Sequence, residues 1–84
     1  MSRKRKVLER VLSGATDADI RFRDPRSLLV SLGFLETVKG GHHIFHQDAI
    51  AEIINLQPRG SQAKPHQVRQ VRELILKYRL GGAL

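Results

Sequence analysis

Two adjacent glycines, Gly40 and Gly41, sit between segments that alternate in polarity, and no other stretch constrains this chain as tightly. Ahead of them Phe34, Glu36 and Val38 alternate with Leu35, Thr37 and Lys39; behind them His42, Ile44 and His46 alternate with His43, Phe45 and Gln47. Period-two alternation marks an extended strand, because successive side chains point to opposite faces. A glycine pair supplies the positive φ values that a two-residue hairpin turn demands. The spacing therefore predicts a strand over 34–39 turning back into a second over 42–47. A turn near Asp48 then leads to a third strand at about 51–57, containing Ile53, Ile54 and Leu56. The result is a three-stranded antiparallel meander.

Helical patterns flank this sheet. Over residues 3–13, Val7, Leu8, Val11 and Leu12 form one apolar stripe while Arg3, Lys4, Arg5, Lys6, Glu9 and Arg10 cover the rest, and Gly14 is a stop. In the connector 15–23, Ile20 and Phe22 alternate with Arg21 and Arg23 as a short extended piece does. Asp24-Pro25 predicts a helix start, Asp24 capping free N–H groups and Pro25 taking the first helical position. That helix runs to about Leu32 and ends at Gly33. Pro58-Arg59-Gly60-Ser61 reads as a loop. Pro65 opens the last helix, with Val68, Val71, Ile75 and Tyr78 on its stripe and Leu74 beside it. Gln67, Arg69, Gln70, Arg72, Glu73 and Lys77 fall off that stripe. The fold class is α+β, with helices on one face of the sheet and an extra N-terminal helix. A single domain spans 1–84, made of an extension at 1–14 and a core at 20–80.

At 84 residues the chain has room for one small core, burying about 60–65% of its unfolded surface. No apolar run approaches the ~20 residues of a membrane span, and no signal-peptide pattern is present, so no membrane partner is expected. The absence of cysteine removes disulfides and thiolate metal sites and fits a reducing cytoplasm. Fifteen Lys and Arg against eight Asp and Glu give a net charge of +7. Such a balance points to nucleic acid or an acidic protein, with a solvated basic surface as the bland alternative. The run Arg3-Lys4-Arg5-Lys6 reads as a solvated terminus rather than as a phosphate contact.

The histidines carry the chemistry. Strand alternation separates His42, Ile44 and His46 from His43, Phe45 and Gln47. Phe45 is the largest apolar group here, and burying it stabilises the fold by about 1.5–3 kcal/mol. If Phe45 faces the helices, His43 is drawn inward and His42 and His46 are left on the open face, with Ile44 exposed beside them. His42 and His46 lie about 13 Å apart along a strand and no third ligand has useful spacing, so neither a metal nor another cofactor is expected. An imidazole titrates at about 6.5, which suits proton transfer near neutrality. On RNA the 2′-hydroxyl is an internal nucleophile, so one histidine with a cation nearby, Lys39 or Lys64, suffices for cleavage. Spacing alone accommodates an ordinary strand histidine equally well.

The run Gly40-Gly41-His42-His43-Ile44-Phe45, followed by Lys64-Pro65-His66-Gln67-Val68-Arg69-Gln70-Val71-Arg72, resembles the HicA toxins of bacterial toxin–antitoxin systems. Ile20 to Leu32, ending Gly33-Phe34, is similar to that family's first helix, and the likeness covers about residues 20–80. The resemblance implies a double-stranded-RNA-binding-like fold, endoribonuclease cleavage of mRNA and neutralisation by a HicB-type antitoxin. The family's catalytic histidine carries over to His42, with His43 as the fallback if the register slips by one. Lys39, Gly40, Gly41, Lys64 and Arg69 are the expected RNA-binding residues. The chain departs from the family at Gly41, where a serine is usual, and in residues 1–14, which extend beyond the minimal domain. A non-catalytic RNA-binding module of the same fold is the alternative.

Overall fold

The hairpin forms around Gly40-Gly41 in the computed structural model, which describes residues 3–83. Residues 1 and 2 of the N-terminal extension and residue 84 at the far end lie outside the described residues. Strand β1 (Leu35–Lys39) pairs antiparallel with β2 (His42–Gln47), Lys39 opposite His42 and Leu35 opposite His46. Only Gly40 has a positive φ, +57°; Gly41 does not. One positive φ at the first turn position is the II′ pattern, so the expectation that both glycines are needed is corrected. Strand β3 (Ile50–Leu56) pairs with the other edge of β2, and the order β1-β2-β3 sets the histidine strand in the middle.

Phe45 lies at the centre of the covered face, fully buried against Ile54 and Leu56 from β3 and the helical side chains. Three helices supply them: α1 (Arg3–Ser13), α2 (Arg23–Ser31) and α3 (Pro65–Tyr78). Leu28 and Leu29 come from α2, and Val68, Val71, Leu74 and Ile75 from α3. Leu8 and Val11 place α1 inside the same core, so the extension is structural. Arg72 on α3 ties it down, Nη1 donating to the Val11 carbonyl at 3.1 Å and to Asp17 Oδ1 at 2.9 Å. The opposite face of the sheet is uncovered, with Leu35 and Ile53 each 65% exposed. No helix among the described residues is long and apolar enough to cross a membrane.

Helix α2 begins at Arg23, two residues ahead of the expected start at Pro25, and Asp24 is not its cap. The cause lies upstream: Arg21 bridges to Gln62 and the Phe22 N–H donates to the Ser61 carbonyl at 3.0 Å, so the chain turns straight from that bridge into the helix. Pro25 sits third, still in the first turn, where a missing N–H costs no bond. The predicted loop at Pro58 is a small hairpin, β4 (Pro58–Arg59) paired with β5 (Gln62–Ala63). Two-residue strands are too short to show alternation. Gln67, expected off the apolar stripe, is buried, its Oε1 accepting from the Gln57 N–H at 2.9 Å.

Candidate functional site

His42 stands exposed at the start of the central strand, on the uncovered face of the sheet. Alternation with the buried Phe45 puts it there, as the apolar payload of the aromatic ring predicts. Lys39 is its cross-strand neighbour through the Gly40-Gly41 turn. From the other side two amides reach the ring: Asn55 Nδ2 lies 3.2 Å from Nδ1, and Gln57 Nε2 lies 3.2 Å from Nε2. Lys64 Nζ donates to Gln57 Oε1 at 3.1 Å. Lysine, glutamine, histidine and asparagine thus form one chain of polar contacts.

That chain favours one position for the proton of the imidazole. A neutral ring has one N–H and one lone pair, so it cannot accept from two amide nitrogens at once. The Gln57 amide is held against turning over by the Lys64 ammonium on its carbonyl oxygen. Asn55 has no second side-chain partner among the described residues, so turning its amide to offer Oδ1 breaks no other bond. With Oδ1 turned to the ring, the proton resides on Nδ1 and the lone pair on Nε2. Gln57 is itself anchored through its backbone N–H on the buried Gln67, which links the site to the first turn of α3.

His43 has a different environment on the covered face. Its Nδ1 and Glu36 Oε2 are 2.7 Å apart, and Arg26 grips the same carboxylate with two bonds of 2.7 and 2.8 Å. The ring meets Phe22 edge-on, with centroids 4.7 Å apart. Hydrogen bonds from Arg26 hold the Glu36 carboxyl below the usual carboxylate range; burial opposes the shift and the His43 contact assists it. His43 is therefore a half-buried clasp between α2 and the sheet. His46 sits opposite Leu35, with no side-chain partner among the described residues.

Of the expected RNA-binding residues, Lys39 lies opposite His42 across the hairpin, Lys64 bonds to Gln57 on its other side, and Gly40 and Gly41 form the turn beside it. Arg69 does not join this group; it is exposed on α3 and makes no bond to it. Asn55 and Gln57 are the residues that the sequence did not single out. Their signal was present, since Asn55 and Gln57, the latter just past the end of β3, alternate with Ile54 and Leu56, but only the pairing of β3 with β2 brings them to His42. Among the described residues, no three His, Asp or Glu side chains converge as metal ligands. A groove of about 400 Å³ between β3 and α3 contains no histidine, and its Lys77 and Glu52 pair with each other at 2.6 Å.

Compared with family models, with curated proteins and with solved structures, the chain matches none of them. Fold and site together define an α+β chain whose helices cover one face of a three-stranded antiparallel sheet. Its uncovered face carries an oriented histidine between two lysines.

Proposed function

We propose that this chain is a metal-independent endoribonuclease with His42 as its one catalytic histidine. The observation that carries the reading is the exposed His42 ring, oriented by Asn55 and Gln57 and flanked by Lys39 and Lys64. In the proposed reaction the 2′-hydroxyl of RNA takes the place of the Gln57 amide at Nε2. The ring removes the hydroxyl proton as O2′ bonds to phosphorus, and the imidazolium returns that proton to O5′ as the P–O5′ bond breaks. The products are a 2′,3′-cyclic phosphate and a 5′-hydroxyl. Lys64 and Lys39 supply positive charge for the phosphorane, where such stabilisation is worth most.

More particularly, we propose a HicA-type toxin that cleaves mRNA in the cytoplasm on a double-stranded-RNA-binding-like fold and is neutralised by a HicB-type antitoxin. The runs 40–45 and 64–72 support this, together with the net charge of +7. An acidic antitoxin surface laid over the uncovered face meets the lysines at its rim and Leu35, Ile44 and Ile53 as apolar ground. Charge complementarity of that kind speeds association. The test is cleavage of a labelled RNA with chelator present, comparing wild type with His42→Ala.

Two observations favour the second reading, a non-catalytic RNA-binding module. The Nε2 lone pair is engaged by Gln57, and Gly41 offers no hydroxyl at the turn. That reading predicts RNA binding that survives His42→Ala, with no cleavage by either protein.

A further inference from the structure

Among the described residues, seven ion pairs engage Arg3, Arg5, Arg23, Arg26, His43, Arg72 and Lys77 with carboxylates. Arg21, Lys39, Arg59 and Lys64 share in none of them among the described residues. Strand pairing brings these four uncompensated cations onto one surface. Lys39 is opposite His42, and the β2–β3 register, continued by one residue, sets His42 opposite Gln57. The β4–β5 register, continued likewise, sets Gln57 opposite Lys64, as their 3.1 Å bond shows. At about 4.8 Å per strand, Lys39 and Lys64 bracket about 14 Å of surface with His42 between them.

The small hairpin carries the line onward. Arg59 pairs with Gln62, and Gln62 bridges to Arg21 on its other side. Cross-strand partners project to one face, and residues two apart along a strand share it. Arg59 and Arg21 therefore continue the face of Gln57 and Lys64, about 7 Å farther along the strand direction. Ala63, between Gln62 and Lys64, is buried on the other side. Two exposed arginines thus flank Gln62 on an arm that the site at His42 does not itself require.

We propose that the β4–β5 hairpin, through Arg59 and Arg21, is a phosphate-binding arm that carries single-stranded RNA past His42. The proposal rests on the ribonuclease reading and adds the path of the substrate to it. Phe22, Phe34, Phe45 and Tyr78 are all buried or half-buried, so His42 and His46 are the only rings on the uncovered face among the described residues. Binding is then carried by charge rather than by base stacking, and it tolerates sequence. In-line attack by O2′ needs a backbone free to rotate, which a single strand or loop provides and an A-form duplex does not.

The experiment titrates the full chain into a labelled, fully 2′-O-methylated oligouridine, which lacks the nucleophile and stays intact, over a range of salt. Each phosphate contact on a single strand contributes about 0.7 to the slope of log K against log salt. Arg21→Ala/Arg59→Ala is expected to reduce the slope by about 1.4 and to weaken low-salt binding about tenfold or more. Lys4→Ala/Lys6→Ala, on the exposed side of α1, is expected to leave both unchanged. An unaltered slope in the arginine variant, an equal loss in the lysine variant, or no binding by wild type overturns the arm. Equal affinity for a duplex of the same length overturns the single-strand assignment. Cleavage of unmodified RNA, followed in parallel, separates the two ideas. Altered slopes without cleavage uphold the arm and remove the ribonuclease, whereas cleavage with unaltered slopes does the reverse.

Discussion

Gly40 and Gly41 are identical in chemistry and opposite in what the backbone asks of them. A side chain at Gly40 is strained by its φ of +57°, whereas a Cβ at Gly41 meets nothing within 4 Å and needs no left-handed backbone. Gly40→Ala is expected to cost about 1–2 kcal/mol and Gly41→Ser to stay within about 0.5 kcal/mol, read by urea denaturation. A serine therefore fits at 41 without strain in the turn. The His42 tautomer gives a second prediction. ¹⁵N NMR at pH about 9, where imidazoles are neutral, is expected to find the proton on Nδ1 in the wild type. In Gln57→Glu, whose carboxylate can only accept, the proton is expected on Nε2, and cleavage is expected to fall by about 10²–10⁴ because the base is lost. A proton on Nε2 in the wild type contradicts the assignment. That His42 faces outward was legible in the sequence, because Phe45 three residues on had to face inward. The partners of that ring were not legible: Asn55 lies on β3 and Gln57 just past its end, and the β2–β3 register passes through an irregularity between Phe45 and Gln47 that strand alternation does not show.

At the scale of elements, α1 and the Glu36 clasp show how the parts are joined. Leu8 and Val11 sit in the common core, so Leu8→Ala is expected to cost about 2–4 kcal/mol, seen as a lower thermal midpoint; an unchanged midpoint contradicts the role given to α1. Glu36 holds α2 to the sheet through Arg26 and His43. Its folded pKa lies below the unfolded value of about 4.3. The stability it contributes is therefore present above that value and lost as pH falls through the folded pKa. Glu36→Gln is expected to cost about 1–2 kcal/mol at pH 7, between an exposed and a buried pair, and the gap should close on acidification. A gap that widens below pH 4 goes against this account. The three helices and the meander were legible because each has the apolar period of its kind. The start of α2 and the β4–β5 hairpin were not, since both depend on Arg21 and Phe22 meeting Gln62 and Ser61 some forty residues away. Gln67 was hidden for a similar reason: it looks polar in sequence and is buried because Gln57 needs its oxygen.

Across the whole molecule, charge and apolar surface are divided between the two faces of one small sheet. Helices cover the face of Phe45, Ile54 and Leu56, while Leu35, Ile53 and His42 remain outside with Lys39 and Lys64 alongside. The same division accounts for both proposed partners, since an RNA backbone and an acidic protein each complement that outer face. Product analysis of RNA cleavage bears most directly on the central claim. Wild type and His42→Ala are incubated with an end-labelled RNA and chelator, and the fragment ends are read by mass. The account predicts 2′,3′-cyclic phosphate and 5′-hydroxyl ends from wild type, and a loss of about 10²–10⁴ in rate for a His42→Ala protein that still folds. Cleavage by His42→Ala at the wild-type rate, or no cleavage by wild type, would contradict it.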